Sequence, residues 1–144
     1  MSHWNYNGKM FDKIPEDAYG FVYRITNSMN GKFYIGRKQF ISIRRTKVLG
    51  RKNRKVTRTE MKWREYTGSN KNLNADIKEH GKANFKFEVL TIAYTKGQCN
   101  FLEIAAQFKL DVLTNTNAYN DAIGSGQFKN LTMDDRLINE LKKL

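Results

Sequence analysis

Two tyrosines, Tyr23 and Tyr34, flank a cluster of turn formers at Asn27–Gly31, and a long basic stretch follows them. A phenol can orient a water molecule by hydrogen bonding, or take its proton as a general base. The flanking runs Gly20–Thr26 and Lys32–Gly36 are rich in aromatic and β-branched residues, so the segment predicts a β-hairpin. Side chains alternate between the faces of a strand. A four-residue loop over Asn27–Asn30 would set Tyr23 opposite Tyr34, whereas a tight Asn30-Gly31 turn would leave them offset by four residues. Either pairing puts both hydroxyls on one side of the sheet. Pattern alone is equally satisfied by ordinary strand aromatics, so the chemistry depends on what accompanies the two phenols.

A phosphate-attracting surface accompanies them. Lys and Arg outnumber Asp and Glu by 26 to 14, giving a net charge of +12. From Arg37 to Arg58 ten residues are Lys or Arg and none is acidic. Such a run attracts a polyanion in a sequence-independent, salt-sensitive way. It lacks the amphipathic helical period of a membrane-surface segment. No run approaches the ~18 apolar residues of a membrane helix, and the first residues carry no apolar signal stretch. The single cysteine, Cys99, excludes an internal disulfide and fits a reducing compartment. With only His3, His80 and Cys99 available, a Cys/His zinc site is not expected.

The elements that must position these residues fit one domain over 1–144. Met1–Ala18 reads as an irregular lead-in and the hairpin follows it. Residues 37–58 form a basic insert, helical at its start, with Gly50-Arg51-Lys52-Asn53 as its loop-like middle. Ser69 is the expected N-cap of a helix over Asn70–His80, with Leu73 and Ile77 buried and Gly81 ending it. Phe85–Leu90 alternates and then turns fully apolar, as a strand does when it enters a core. Gly97–Val112 reads as a helix, and Lys96, Asn100, Glu103, Gln107 and Asp111 form one polar stripe along it. By spacing alone that stripe faces solvent. Thr114–Gln127 reads as a polar loop. Thr132–Asp135 resembles a capping box opening a terminal helix over about 132–144, striped by Leu137, Leu141 and Leu144. The stripe is expected to pack on the chain's own core, with a second copy as the alternative. Together these predict an α+β fold, a small three-stranded antiparallel sheet flanked by helices.

Gly20-Phe21-Val22-Tyr23 followed by Tyr34-Ile35-Gly36, eleven residues from tyrosine to tyrosine, resembles the GIY-YIG nuclease signature, with one extra residue in its first half. The resemblance spans about Tyr19–Asn120. It is strongest to small phage-type members related to group I intron homing endonucleases. It implies the same sheet-and-helix architecture and a metal-dependent DNA endonuclease. Phosphodiester hydrolysis needs a positioned water, stabilisation of phosphate charge and help for the leaving oxygen, and a divalent cation can supply the last two. Mg2+ needs few carboxylates. The resemblance makes Glu103 the metal ligand, with Glu88 as the rival, and Mg2+ the cofactor, with Mn2+ as a substitute. It makes Tyr23 the general base or the residue that orients the water, Tyr34 the residue that orients that water or binds the phosphate, and Arg44, on a helix after the Tyr-Ile-Gly strand, the cation at the scissile phosphate. Asn120, within Ala118-Tyr119-Asn120-Asp121, matches a late Tyr-Asn dipeptide, in an orienting or a turn-forming role.

Arg37, Lys38, Arg45, Lys47, Arg51, Lys52, Arg54 and Lys55 are the expected contacts to double-stranded DNA. A catalytically inactive nucleic-acid-binding protein on the same fold is the second reading, and a protein whose basic face binds another polyanion is the third. The residues after the catalytic core leave little room for an extended recognition region, so specificity would come from the basic insert or from a homodimer or higher homo-oligomer. The expected location is the cytoplasm, that of the bacterial host if the chain is phage-encoded.

Overall fold

The computed structural model describes residues 1–124 and 134–144. Its strands are β1 (Asn5–Tyr6), β2 (Lys9–Met10), β3 (Gly20–Asn27), β4 (Phe33–Gln39), β5 (Ile41–Thr46), β6 (Lys55–Glu60) and β7 (Phe85–Ala93), and its helices are α1 (Lys71–His80), α2 (Lys96–Lys109) and α3 (Asp135–Leu141). The main sheet has the order β2-β1-β7-β3-β4, and β5 and β6 form a separate two-stranded ribbon. The antiparallel trio β7-β3-β4 is the expected three-stranded core. The short β1–β2 hairpin extends it, with β1 running parallel to β7.

Central position explains the burial of β3. Phe21, Tyr23 and Ile25 enter one core with Trp4, Phe11, Phe40, Trp63, Leu73 and Ile77. Val22 enters the other core with Ile35, with Cys99, Leu102 and Ala106 of α2, and with Leu137 of α3. The sheet is therefore covered on both faces. Between the pairs Val22↔Thr91 and Tyr23↔Val89 the register shifts, leaving Leu90 as the extra residue of a bulge.

The β3–β4 hairpin closes with Asn27 N–H donating to Lys32 O at 2.7 Å and Gly31 N–H to Asn27 O at 2.8 Å. Gly31 takes φ +75°, a conformation that favours glycine. The loop is thus Ser28–Gly31, one residue further along than the expected four-residue loop. Ile25 lies opposite Tyr34 and Tyr23 opposite Gly36. The two tyrosines share a face, offset by two residues rather than zero or four.

Four local expectations change. Met1–Ala18 is not an irregular lead-in: Trp4 is fully buried and its indole N–H donates to Trp63 O at 2.8 Å. The basic insert is a β-ribbon with no helix at its start, which suits its β-branched residues Ile41, Ile43, Thr46, Val56, Thr57 and Thr59. The N-cap of α1 is Asn70, whose Oδ1 accepts from Leu73 N–H at 2.9 Å, not Ser69. At α3, Asp134 is the N-cap and accepts from Leu137 N–H at 2.9 Å; Thr132 and Met133 of the expected capping box lie outside the described residues, as do 125–127 of the polar loop. Leu137, Leu141 and Leu144 pack on the chain's own core. The buried Glu140 carboxylate accepts from Ile92 N–H at 2.5 Å and pairs with Lys143, fixing α3 to β7. No helix among the described residues is long and apolar enough to cross a membrane.

The contrast between the buried lead-in and the exposed ribbon is measurable. Trp4→Ala should cost about 3–5 kcal/mol in denaturant unfolding of the full chain, the usual loss for a buried large aromatic. Ile43→Ala, at a site 47 % exposed on the ribbon, should stay within about 0.5 kcal/mol.

Candidate active site

β4 is an edge strand, with β3 on one side only. Its other edge is closed by the segment Asn117–Asn120. Phe33 N–H donates to Asn117 O at 2.9 Å and Tyr119 N–H donates to Phe33 O at 2.7 Å. The Asn120 side chain then replaces a strand's backbone: Ile35 N–H donates to its Oδ1 at 3.0 Å and its Nδ2 donates to Ile35 O at 2.8 Å. Gln107 of α2 also donates to Ile35 O, at 3.3 Å, and accepts from Gly124 N–H at 3.2 Å. Asn70 donates to Tyr119 O at 3.0 Å while it caps α1. One short segment therefore ties β4 to the ends of two helices.

A cleft of about 330 Å³ opens at this junction, lined by Tyr34, Ser69, Lys71, Glu103, Gln107, Asn120 and Asp121 among others. Tyr34 is half-buried and its hydroxyl lies 3.4 Å from Ser69 Oγ. Glu103, on α2, has a side chain 15 % exposed and faces Arg37 of β4, with Nε 3.4 Å from Oε1. Burial pushes the Glu103 carboxyl up from its ordinary value, and Arg37 only partly opposes this. Gly124 closes over the same carboxylate: a Cβ there would lie 3.1 Å from Oε1. The stripe on α2 thus faces the sheet edge at Glu103 and Gln107 and solvent at Lys96, while α2 ends at Lys109 rather than Val112 and Asp111 lies beyond it with φ 52°.

Tyr23 lies behind this cleft, 1 % exposed, its ring centroid 6.2 Å from that of Tyr34 and 6.1 Å from that of Tyr66. Burial raises its hydroxyl well above the ordinary phenol value, with the Tyr66 phenol and the Glu103 charge acting in the same direction. Burial also raises Tyr34, while the Ser69 hydrogen bond opposes it. Lys38 stacks its ammonium over Tyr66 at 4.4 Å, and desolvation lowers its pKa. Gly36 is what lets the phenols approach. A Cβ on it would meet Tyr23 Oη at 2.4 Å and Tyr34 Cε2 at 2.9 Å.

The structure therefore gathers Tyr34, Glu103 and Asn120 around one cleft, with Arg37 reaching it only through its contact with Glu103 and Tyr23 packed against Tyr34. Arg44 is exposed on β5, paired with Thr57, and does not line the cleft. Its expected helix is a strand, so the count from Tyr34 leads out along the ribbon. Arg45 lines a separate cleft with Tyr19, Gln39 and Lys96. Lys47, Arg51, Lys52, Arg54 and Lys55 are exposed at the ribbon's outer end. Glu88 pairs with Arg24 at 3.5 Å, away from the cleft. Ser69, Lys71, Gln107 and Asp121 were not expected at a site, and only Gln107 carried a signal, its place on the Glu103 stripe. Among the described residues, Asp76, Glu79 and His80 of α1 form the one cluster of three acidic or histidine side chains close enough to hold a cation together; none of them lines the cleft, and Asp76 accepts from Tyr119 Oη at 2.6 Å.

Gly36→Ala should displace both phenols. The expected result is a loss of about 1–3 kcal/mol in thermal or denaturant unfolding, the usual cost of overpacking a filled site.

A family model described as "Putative endonuclease segE, GIY-YIG domain" matches residues 4–123. No curated protein and no solved structure matches the chain. The matched span starts at the buried Trp4, includes the whole β5–β6 ribbon, and ends one residue short of Gly124. The paired tyrosines, the glutamate on α2 and the asparagine-closed sheet edge thus lie within a recognised endonuclease domain, and the chain belongs to the GIY-YIG endonuclease family.

Proposed function

We propose that the protein is a divalent-metal-dependent endonuclease that hydrolyses phosphodiester bonds of double-stranded DNA in the Tyr34–Glu103–Asn120 cleft. The observation that carries this reading is the meeting of a sequestered carboxylate, a cation and a cleft-facing phenol: Glu103, Arg37 and Tyr34. The donor set fits a hard cation. Glu103 is an oxygen ligand whose charge is incompletely compensated by Arg37, and Asp121, Asn120 and Ser69 add oxygens to a cleft open to water. A bound Mg2+ or Mn2+ would polarise the phosphate and stabilise the leaving oxygen.

The chain's own residues supply the rest. Tyr34 meets the attacking water and orients it as a neutral donor, as an ordinary phenol is at neutral pH, and burial pushes it further that way. Tyr23, buried and more strongly held neutral, positions the Tyr34 ring across the side-chain-free Gly36. That assigns the water to Tyr34 rather than to Tyr23. Arg37, beside Glu103, is the cation that faces the phosphate, in place of Arg44, and its planar fork suits two phosphate oxygens. Asn120 acts through the backbone of Ile35, holding Tyr34 and Gly36 on either side of it in register. The net charge of +12 supports a DNA substrate.

Plasmid nicking with Mg2+, with and without chelator, tests this. Glu103→Gln, Tyr34→Phe and Arg37→Ala should each reduce the single-turnover rate about 10²-fold or more at saturating DNA. Chelation should abolish cleavage and leave binding intact. Tight binding with no cleavage under any divalent cation would favour a binding protein on this fold. Equal rates in all three variants would refute the assignment.

The pH profile gives a second test. Glu103 must be ionised to hold the cation, and burial raises its pKa in the metal-free site, so at subsaturating Mg2+ activity should fall on acidification while still above the ordinary carboxylate range, and excess Mg2+ should move that limb to lower pH. Arg37 lowers the Glu103 pKa, so residual activity of Arg37→Lys, with its looser cation, should show an acid limb at higher pH than the wild type.

A further inference from the structure

The β5–β6 ribbon has two chemically different faces. Its register pairs Ile41 with Glu60, Ser42 with Thr59, Ile43 with Arg58, Arg44 with Thr57, Arg45 with Val56 and Thr46 with Lys55. Side chains alternate along a strand. One face therefore carries Ile41, Ile43, Val56 and three charged residues, and its Ile41 packs on the core. The other carries Ser42, Arg44, Thr46, Lys55, Thr57 and Thr59. Every residue on that second face can donate a hydrogen bond, none is acidic, and all but Ser42 are exposed.

The ribbon's base is rigid and its outer half is free. Phe40, between β4 and β5, is fully buried and stacks on Phe21 at 5.2 Å. Phe40 N–H donates to Tyr19 O at 2.9 Å, and Met61 N–H donates to Phe40 O at 2.7 Å, clamping both ends of the ribbon to the core. Beyond that clamp every residue of β6 is exposed, as are Ile43–Lys47. The tip adds Lys47, Arg51, Lys52 and Arg54.

We infer that the β5–β6 ribbon lies in the major groove of duplex DNA and reads base edges with its Ser42–Arg44–Thr57–Thr59 face, while the basic tip grips phosphates. The inference rests on the DNA reading above and deepens it. The major groove admits a two-stranded ribbon, and the side chains match its code: Arg fits the O6 and N7 acceptors of guanine, Ser and Thr bond to several edges, and a Thr methyl meets that of thymine. The deep, narrow major groove of duplex RNA would not admit the ribbon. Arg44 is then a specificity-determining residue, not a cation at the scissile phosphate. Charge neutralisation falls to Lys47, Arg51, Lys52 and Arg54, whose phosphate contacts carry affinity but no sequence.

Selection of bound duplexes from a randomised DNA pool tests this with the full chain, in chelator, so that binding is read without cleavage. The wild type should yield a consensus containing at least one guanine. Arg44→Ala and Arg44→Lys should both lose the preference at one position, with about tenfold or greater weakening on the consensus duplex and little on a scrambled one. The salt dependence should change little, since the contact is to a base. Lys52→Ala should weaken both duplexes alike and reduce the slope of log K on log salt by about one. Methylation of guanine N7 in the consensus should block wild-type binding. A pool with no consensus, uniform weakening by Arg44→Ala with a lower salt slope, or tighter binding to duplex RNA would each overturn the inference. Failure of the nuclease reading shows elsewhere: a chain that selects a consensus but never nicks plasmid keeps the ribbon assignment and loses the catalytic one.

Discussion

The edge of β4 is the constraint on which the rest depends. An unpaired strand edge exposes a row of N–H and C=O groups that must find partners. Here the partner is Asn117–Asn120, whose last residue uses its side-chain amide in place of a backbone. That substitution has a geometric consequence. Because the amide of Asn120 satisfies Ile35, the chain can turn away at Asp121 instead of continuing as a further strand beside β4. The turn opens the space into which Tyr34 and Glu103 both look. Gln107 and Asn70 tie α2 and α1 to the same few atoms. A neutral hydrogen-bond lattice thus holds the charged groups in place, so the cleft does not depend on the Arg37–Glu103 attraction for its shape.

The electrostatics follow from that layout. A carboxylate that is largely withdrawn from water needs compensation, and one guanidinium at 3.4 Å supplies only part of it. The remaining demand for positive charge is what a divalent cation would meet. Tyr23 and Tyr34 differ for the same reason. Both are pushed toward the neutral form by burial, but Tyr34 sits at the cleft and Tyr23 at the sheet's inner face. The signature therefore sets one cleft-lining phenol and one buried phenol across a glycine that has no room for a side chain.

Much of this was legible in the chain. The hairpin, the buried Leu73 and Ile77, the strand from Phe85 and the helix bearing Glu103 follow from periodicity and turn chemistry, because each buries its own pattern locally. Three features were not. The hairpin loop moved by one residue, and the strand pairing by two, because Asn27 keeps a backbone pair with Lys32 before the turn begins. Met1–Ala18 looked irregular because its strands are two residues long, while its stability comes from Trp4 against aromatics distant in sequence. The basic insert alternates only briefly, over Ile41–Arg44, too short a run to mark a strand, because its ribbon buries little beyond Ile41. Arg37 and Arg44 could not be ranked by counting, since that count assumed a helix where the chain runs extended.

The central claim is that Glu103 and Tyr34 border one cation site. Paramagnetic line broadening by Mn2+ measures it directly, on the ring resonances of Tyr34 and the imidazole of His80 in the full chain. The account predicts broadening of Tyr34 that is lost in Glu103→Gln, with His80 little affected. Broadening that persists in Glu103→Gln, or that centres on His80 with its neighbours Asp76 and Glu79, would contradict it.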